Sequence, residues 1–343
     1  QMTTHRQPVP FLLLLCLALA TGITRTSATP RISINVSPEH WSAEEWAHWT
    51  TLNNRVSIKP AMRSGQHGAA VASSANALAV HIGKLVLEQG GNAVDSAVAT
   101  AMASVTLATG KWISFAGIAS ILVFDAETQK TYSVEAPWAT IPGNDPHAVS
   151  KGRGASSVLI GGFTKALAAL SQRFGVCEWS DLVEPARYLA SHGFPYFYQL
   201  YASSSTATLL RESAYGSYLL SQFESESANV TQPPLASTLA RLKTDPDEFY
   251  TGEWATRFVA TLREAGQSNV TLADLSSYQV VIRESVVQLN LSQQLGHSRA
   301  RTMSHDWNRE SVHQQLDQEM DPKQNSNLKN QNHLGQKQNH LGQ

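Results

Sequence analysis

The 343-residue sequence predicts an α-rich α/β fold. Three observations support this prediction. Helical periodicity runs through most of residues 64–107, a pair of β-branched and aromatic segments flanks a polar turn within 117–136, and an alternating segment occurs near 279–290. Because 42% of the residues are hydrophobic, the chain can bury one large core or two smaller ones.

Residues 64–107 read as two helices joined by a glycine pair. The first helix has one apolar stripe, formed by Leu78, Ile82, Leu85 and Val86. Gly90 and Gly91 are expected to end it, because glycine accepts the left-handed conformation found at many helix ends. Asn92 is expected to cap the second helix, with Asp95 in the first turn, where the helix dipole favours an anion.

The second helix carries an unusual density of small side chains. One face holds Ala93, Ala97, Ala101 and Ser104, and a neighbouring face holds Val94, Val98 and Val105. Small residues allow close backbone approach, so this helix is predicted to be central and covered on more than one side.

The remaining elements follow from local signals. The segment GIASILVFDAETQKTYSVEAP predicts a β-hairpin with its turn at 126–129, and VVIRESVVQLNL predicts a strand. Helices are predicted over 163–174, ended by Gly175, and from a Ser180 cap to Gly193. Thr271 and Asp274 form a capping-box pattern. The tryptophan-rich segment before residue 63 is interpreted as a short surface helix that starts at Ser37.

Composition and the N-terminal segment indicate export. A net charge of −1 gives no basic excess for nucleic acid, so no nucleic-acid partner is expected. The run PFLLLLCLALA, preceded by His5 and Arg6, is typical of a signal peptide over residues 1–28, with an uncleaved membrane anchor as the alternative. No apolar run reaches the roughly 20 residues of a bilayer-spanning helix. Cleavage would leave Cys177 without an intrachain disulfide partner.

Four N-glycosylation sequons agree with a secreted or surface-anchored glycoprotein. They begin at Asn35, Asn229, Asn269 and Asn290.

Several ordered blocks resemble the large subunit of γ-glutamyltranspeptidases, also called glutathione hydrolases. They include EQGGNAVDSAVATAMA, LVFDAETQKTYSVEAP, the W-x-x-L-x-x-P-A-x-x-L-A-x-x-G-F pattern after residue 178, and the segment from QPPLASTL to DLSSY. The resemblance covers about residues 65–288. It implies the large-subunit portion of an N-terminal-nucleophile hydrolase αββα sandwich, whose sheets are incomplete because the remaining strands belong to the small subunit.

The resemblance also implies an activity and a partner. The family cleaves the γ-glutamyl amide of glutathione or related compounds and passes the acyl group to water or amino acids, without a cofactor or metal. Its nucleophile is a threonine, freed by self-cleavage of a precursor within a T-T-[HS] motif beyond the matched blocks. The Thr-Thr pairs of this chain, Thr3 with Thr4 and Thr50 with Thr51, lie elsewhere. No catalytic residue is therefore assigned, and a small subunit of the same proenzyme is the expected partner.

One departure bears on substrate binding. In the family an arginine before a glutamate grips the α-carboxylate of the γ-glutamyl group, a task suited to a bidentate guanidinium. Matching that glutamate to Glu135 puts Val134 at the arginine position, and Glu135 remains the candidate substrate-binding residue. Either the substrate is held differently or γ-glutamyl binding is lost. The alternative function is a secreted, non-catalytic relative that acts as a binding or partner protein.

The predicted organisation has four parts. They are a signal peptide (1–28), an N-terminal extension (29–63), a γ-glutamyltranspeptidase-like large-subunit domain (64–290) and a polar tail (291–343). The tail lacks apolar residues for a core and is predicted to be disordered. Its His333 and His340 have no Cys, Asp or Glu partners at ligand spacing, so no metal site is predicted.

Overall fold

The computed structural model describes residues 30–53, 61–64, 70–73, 76–110, 113–141, 154–195, 204–222, 229–267 and 269–284. The signal segment, Asn290 and the polar tail lie outside the described residues, so the predictions on them stay predictions. In the described part, no helix has the length and apolar character needed to cross a bilayer.

Helices and short antiparallel strands are interspersed along the described residues, in agreement with the predicted α-rich α/β class. The helices are α1 (Ala43–Asn53), α2 (Ala77–Glu88), α3 (Ala93–Leu107), α4 (Phe163–Phe174), α5 (Trp179–His192), α6 (Ser204–Arg211), α7 (Ala214–Ser221), α8 (Pro233–Leu242), α9 (Glu253–Glu264) and α10 (Leu272–Ser276). The strands are β1 (Ala61–Ser64), β2 (Ala70–Ser73), β3 (Ala119–Asp125), β4 (Lys130–Ala136), β5 (Phe194–Pro195), β6 (Asn229–Val230) and β7 (Val281–Glu284).

The helix pair is confirmed, with one correction at its start. Helix α2 ends at Glu88 and is followed by Gly90 at φ +94°, and Asn92 caps α3 through a complete capping box with Asp95. Residues 61–64 and 70–73 are not helical, because they pair as the antiparallel strands β1 and β2. The apolar stripe of α2 begins only at Leu78, so the preceding residues have no helical face to bury.

Helix α3 is central, as predicted, although the face that carries its smallest side chains is not covered. It contacts α2, α4, α5 and β2. The approach to α2 is close: the Ser96 hydroxyl donates to the Gly83 carbonyl oxygen at 2.8 Å, and a Cβ at Gly83 would lie 2.1 Å from Thr100 Oγ1. Ala93 and Ala97, on the adjoining face of the helix, are exposed. The faces that carry Val98 and Met102 are packed, whereas the face that carries Ala93 and Ala97 remains open.

The main sheet has the order β3-β4-β7 and is antiparallel throughout. The hairpin β3–β4 and the strand β7 are the β elements predicted from the sequence. Gln129, at φ +57°, closes the predicted turn. Helix α4 packs against β4. The sheet therefore has a helix layer on one face, which is half of a layered sandwich.

The helices after the hairpin match the prediction except at one cap. Helix α4 spans Phe163–Phe174 and is followed by Gly175, and Gly193, at φ +85°, follows α5. Helix α5 begins at Trp179 with Glu178 at its cap position, so the prediction that Ser180 caps it is wrong. The Ser180 hydroxyl donates to Asp181 Oδ1 at 3.1 Å, and the helix starts two residues earlier than a Ser180 cap would place it.

The N-terminal segment differs from the expected surface helix. Ser37 caps only a 3₁₀ turn (Pro38–His40), and α1 starts at Ala43. Trp41, Trp46 and Trp49 are partly buried and pack against the core, because α1 lies on α2. His81 on α2 stacks on Trp49 with ring centroids 4.1 Å apart, and its Nε2 lies 2.7 Å from Glu45 Oε1.

Candidate functional site

The outer face of the β3-β4-β7 sheet is the first candidate binding surface. Strand β3 alternates between half-buried and exposed residues, and the exposed ones include Leu122 (65%) and Phe124 (50%). Val281 of β7 is also exposed on this face. Alternating strand residues point to opposite faces of a sheet, so this face is unpacked within the described residues while the other contacts the helices.

The structure places the two predicted residues of β4 on opposite faces. Val134 is fully buried on the helix side, opposite Ile121 and Ile282. Glu135 is half-buried on the outer face, where the Ser120 hydroxyl donates to its Oε1 at 3.1 Å. An arginine at position 134 would therefore point into the core. A ligand on the outer face meets Glu135 and its neighbours, and Val134 makes no contribution there.

Arg283 is a residue of this face that the sequence interpretation missed. It is exposed on β7 and lies directly across from Ser133 of β4. Its guanidinium has no ion-pair partner among the described residues. Glu135 lies one pair further along the same face, opposite Val281. Period-two alternation applied to the predicted last strand places Arg283 on the exposed face, so the signal was present in the pattern.

A groove along α3 is the second candidate surface. Its volume is about 960 Å³. Its walls are the small-residue face of α3, the loop before β3 and Trp138, two residues after the end of β4. Three large side chains at this groove are exposed: Ile113 (44%), Ile118 (48%) and Trp138 (55%). The groove is therefore an apolar surface that another element of structure can fill.

Two hydroxyl groups at this groove lack partners. Thr100 Oγ1 and Ser104 Oγ are buried atoms that have no hydrogen-bond partner among the described residues. Buried hydroxyl groups normally find an acceptor or donor, because leaving one unpaired is unfavourable. This surface therefore differs from a finished part of the core in both its apolar exposure and its unpaired hydroxyl groups.

The buried titratable groups of the described part do not form a nucleophilic centre. Burial, together with the carboxylate of Asp95, raises the pKa of the Cys177 thiol to about 12. Burial likewise raises the pKa of Tyr250 to about 12, and its hydroxyl donates to the Gly161 carbonyl oxygen at 2.8 Å. Nucleophiles need lowered pKa values or an adjacent base, so both groups are structural. No cluster of three metal-ligating side chains occurs among the described residues.

Three of the four sequon asparagines fall within the described residues. Asn35, Asn229 and Asn269 are all exposed. Of these, Asn229 begins strand β6, where its Nδ2 donates to the His192 carbonyl oxygen at 3.0 Å.

A family model and several known proteins match the sequence. The family model described as gamma-glutamyltranspeptidase matches residues 79–301, which begins later and extends further than the resemblance seen in the sequence. Glutathione hydrolase 2 of Arabidopsis thaliana is 29% identical over 232 residues, covering 64% of this chain and 39% of the relative. The glutathione hydrolase proenzyme of Pseudomonas aeruginosa is 32% identical over 209 residues, covering 58% and 37%.

A solved structure agrees with these matches. The γ-glutamyltranspeptidase of Pseudomonas nitroreducens superposes with a TM-score of 0.52 at 28% identity, covering 60% of this chain and 63% of that one. The Helicobacter pylori enzyme, at 24% identity and a TM-score of 0.52, shows the same fold. The chain spans about two fifths of the length of these curated relatives. The family model covers well over half of the chain, and the chain belongs to the γ-glutamyltranspeptidase family.

Proposed function

We propose that this chain is the large-subunit part of a glutathione hydrolase. In this proposal residues 64–290 form the large-subunit domain, and a second half of the same proenzyme supplies the threonine nucleophile. The assembled enzyme transfers the γ-glutamyl group of glutathione to water or to an amino acid. The threonine hydroxyl attacks the γ-glutamyl carbonyl and the cysteinylglycine amine leaves with a proton. Water or an amine then releases the acyl group.

The unpacked outer face of the sheet carries this proposal. The side chain of Leu122 is 65% exposed and that of Phe124 is 50% exposed. On the helix side, Val134 and Ala136 are fully buried. A sheet with an apolar face open to water is unfavourable, and β3 also presents an unpaired edge within the described part. Both features are explained when a second sheet covers the face and further strands extend the edge. The name proenzyme, borne by the relative from Pseudomonas aeruginosa, agrees with a second part of the same precursor.

The same face suggests how the substrate is held. The γ-glutamyl group ends in an ammonium and a carboxylate on one carbon atom. Glu135 supplies a carboxylate for the ammonium, and Arg283 supplies a guanidinium for the carboxylate. The two lie on neighbouring strands, and one residue pair, Val134 with Ile282, separates them along the ladder. Guanidinium binds carboxylate through paired hydrogen bonds, so Arg283 can take over the role that no arginine on β4 performs.

The experiment joins this chain to the sequence that follows it in the transcript. The extended protein and the 343-residue chain are expressed separately and assayed with γ-glutamyl-p-nitroanilide, while a gel follows self-cleavage. Turnover and cleavage by the extended protein alone are expected. Two variants of the extended protein are compared. Arg283→Gln removes the proposed carboxylate-binding group, and Glu127→Gln, in the exposed hairpin turn, is the matched control.

The outcomes separate the two functions considered for this chain. Arg283→Gln is expected to raise KM at least tenfold, and Glu127→Gln to leave it unchanged. An extended protein that folds but neither cleaves itself nor turns over substrate contradicts the enzyme and favours a non-catalytic binding protein. Equal KM values for the two variants contradict the role of Arg283 alone.

We also propose that the chain enters the secretory pathway. The apolar run after Arg6 and the exposed sequon asparagines support this route. Whether the signal is cleaved or kept as an anchor is decided by N-terminal sequencing of the mature protein.

A further inference from the structure

The sheet β5–β6 presents one sequon in a fixed geometry. Phe194 pairs with Val230 and Pro195 with Asn229. Val230 is fully buried, so the strand turns Asn229 and Thr231 to the opposite side. Asn229 is exposed there, although its side chain is held in place by the 3.0 Å hydrogen bond from Nδ2 to the His192 carbonyl oxygen.

This hydrogen bond is compatible with attachment of a sugar. Amide Nδ2 has two hydrogens, and an N-linked glycan replaces one of them. The remaining N–H can continue to donate to His192, so the folded chain orients the sugar bond away from the sheet. Gly193 leaves the necessary space, because a Cβ at that position would lie 2.6 Å from Asn229 Nδ2 and 2.9 Å from Thr231 Cγ2.

An aromatic side chain lies next to the same sequon. The Tyr218 hydroxyl of α7 is 2.8 Å from Thr231 Oγ1, and Gln222 binds the backbone and hydroxyl group of Thr231. Asn229 and Thr231 flank the buried Val230, and side chains two residues apart in extended backbone are separated by about 6.6 Å. Tyr218 is 41% exposed and stacks on Tyr215 with centroids 6.0 Å apart, so its ring is both accessible and oriented.

We propose that Asn229 carries an N-linked glycan whose first sugar packs against the ring of Tyr218. The apolar face of a hexose and an aromatic ring make a favourable contact, and both bury surface that is otherwise exposed. The other described sequons lack this arrangement. The Thr271 hydroxyl binds Asp274, and Ser37 accepts from the Glu39 amide. The proposal rests on the secretory route above and is independent of the catalytic assignment.

The first test measures the sugar directly. The full chain is secreted from eukaryotic cells, and peptide mass spectrometry determines the occupied fraction of Asn229, with Asn229→Gln as the negative control. Occupancy of Asn229 is expected. An unmodified Asn229 overturns the proposal, whatever the state of Asn35 and Asn269.

The second test measures the contact. An endoglycosidase trims the glycan to its first sugar, and the thermal midpoint is compared with that of unglycosylated Asn229→Gln. The single sugar is expected to raise the midpoint by about 2–4 °C, an increase that Tyr218→Phe keeps and Tyr218→Ala loses. The same increase in Tyr218→Ala overturns the contact. Because Tyr218 is a surface residue, both variants should fold, and each has its own unglycosylated reference.

Discussion

Replacing Val134 by arginine would introduce the residue that the family resemblance expects, at a position where the fold does not accept it. Val134 is 0% exposed and faces the helix layer. A guanidinium there would be buried without a carboxylate partner, and its longer side chain would overpack the core. An unpaired buried charge costs about 3–5 kcal/mol, and overpacking adds about 1–3 kcal/mol. Domains are stable by only about 5–15 kcal/mol, so the variant should unfold partly or completely at 25 °C.

The matched control is Ser133→Arg, one residue earlier on the outer face. Ser133 is half-buried and lies between Leu122 and Arg283, which are both exposed. An arginine there reaches solvent and should change stability by less than about 1 kcal/mol. Urea unfolding followed by tryptophan fluorescence measures both variants at pH 7. The reasoning on strand faces is refuted if Val134→Arg stays within about 1 kcal/mol of the parent, or if Ser133→Arg loses more than Val134→Arg.

Three further predictions concern buried groups around α3. Asp95→Ala should lower the free energy of unfolding by about 2–4 kcal/mol in a urea titration. The reason is that the Asp95 carboxylate caps α3 and also accepts from the Val176 amide at 3.0 Å. A loss below about 0.5 kcal/mol would contradict this prediction. Gly83→Ala should destabilise the chain in the same assay, since its Cβ would lie 2.1 Å from Thr100 Oγ1, and Thr100→Ala should restore much of the loss; no rescue in the double variant would show that the clash is elsewhere. Burial raises the pKa of the Cys177 thiol to about 12, so the folded state disfavours the thiolate. The stabilisation present below the unfolded pKa of about 9 should therefore be lost as pH rises from 9 to 12. Cys177→Ser should lose less stability at alkaline pH, and an identical pH profile would exclude this group.

Local signals in the sequence located most helix ends. The capping boxes at Asn92 and Thr271 and the glycine after α5 each depend on interactions within about four residues. The β-hairpin and β7 were predicted for the same reason, since alternation and turn residues are local. Ser180 shows the limit of such signals. Its hydroxyl binds the neighbouring Asp181 side chain, and a competing local hydrogen bond of this kind leaves no trace in a residue pattern.

The candidate site required the tertiary structure. The sequence identified Glu135 and Val134 as neighbours in a motif, but only strand pairing and the position of α4 determined that one faces outward and the other faces the core. Arg283 became a candidate because β7 pairs with β4 across a separation of 150 residues between Arg283 and Ser133.

The sequence by itself therefore determined the family, the α/β class and the limits of most elements, because these depend on short-range patterns and on ordered motifs. The tertiary structure alone decided which faces of those elements are closed. Helix α3 illustrates this difference: its small residues suggested burial on several sides, yet Ala97 lines an open groove. The side-chain pattern of a helix shows which faces can accept a neighbour, whereas the presence of that neighbour depends on the rest of the chain and on its partners.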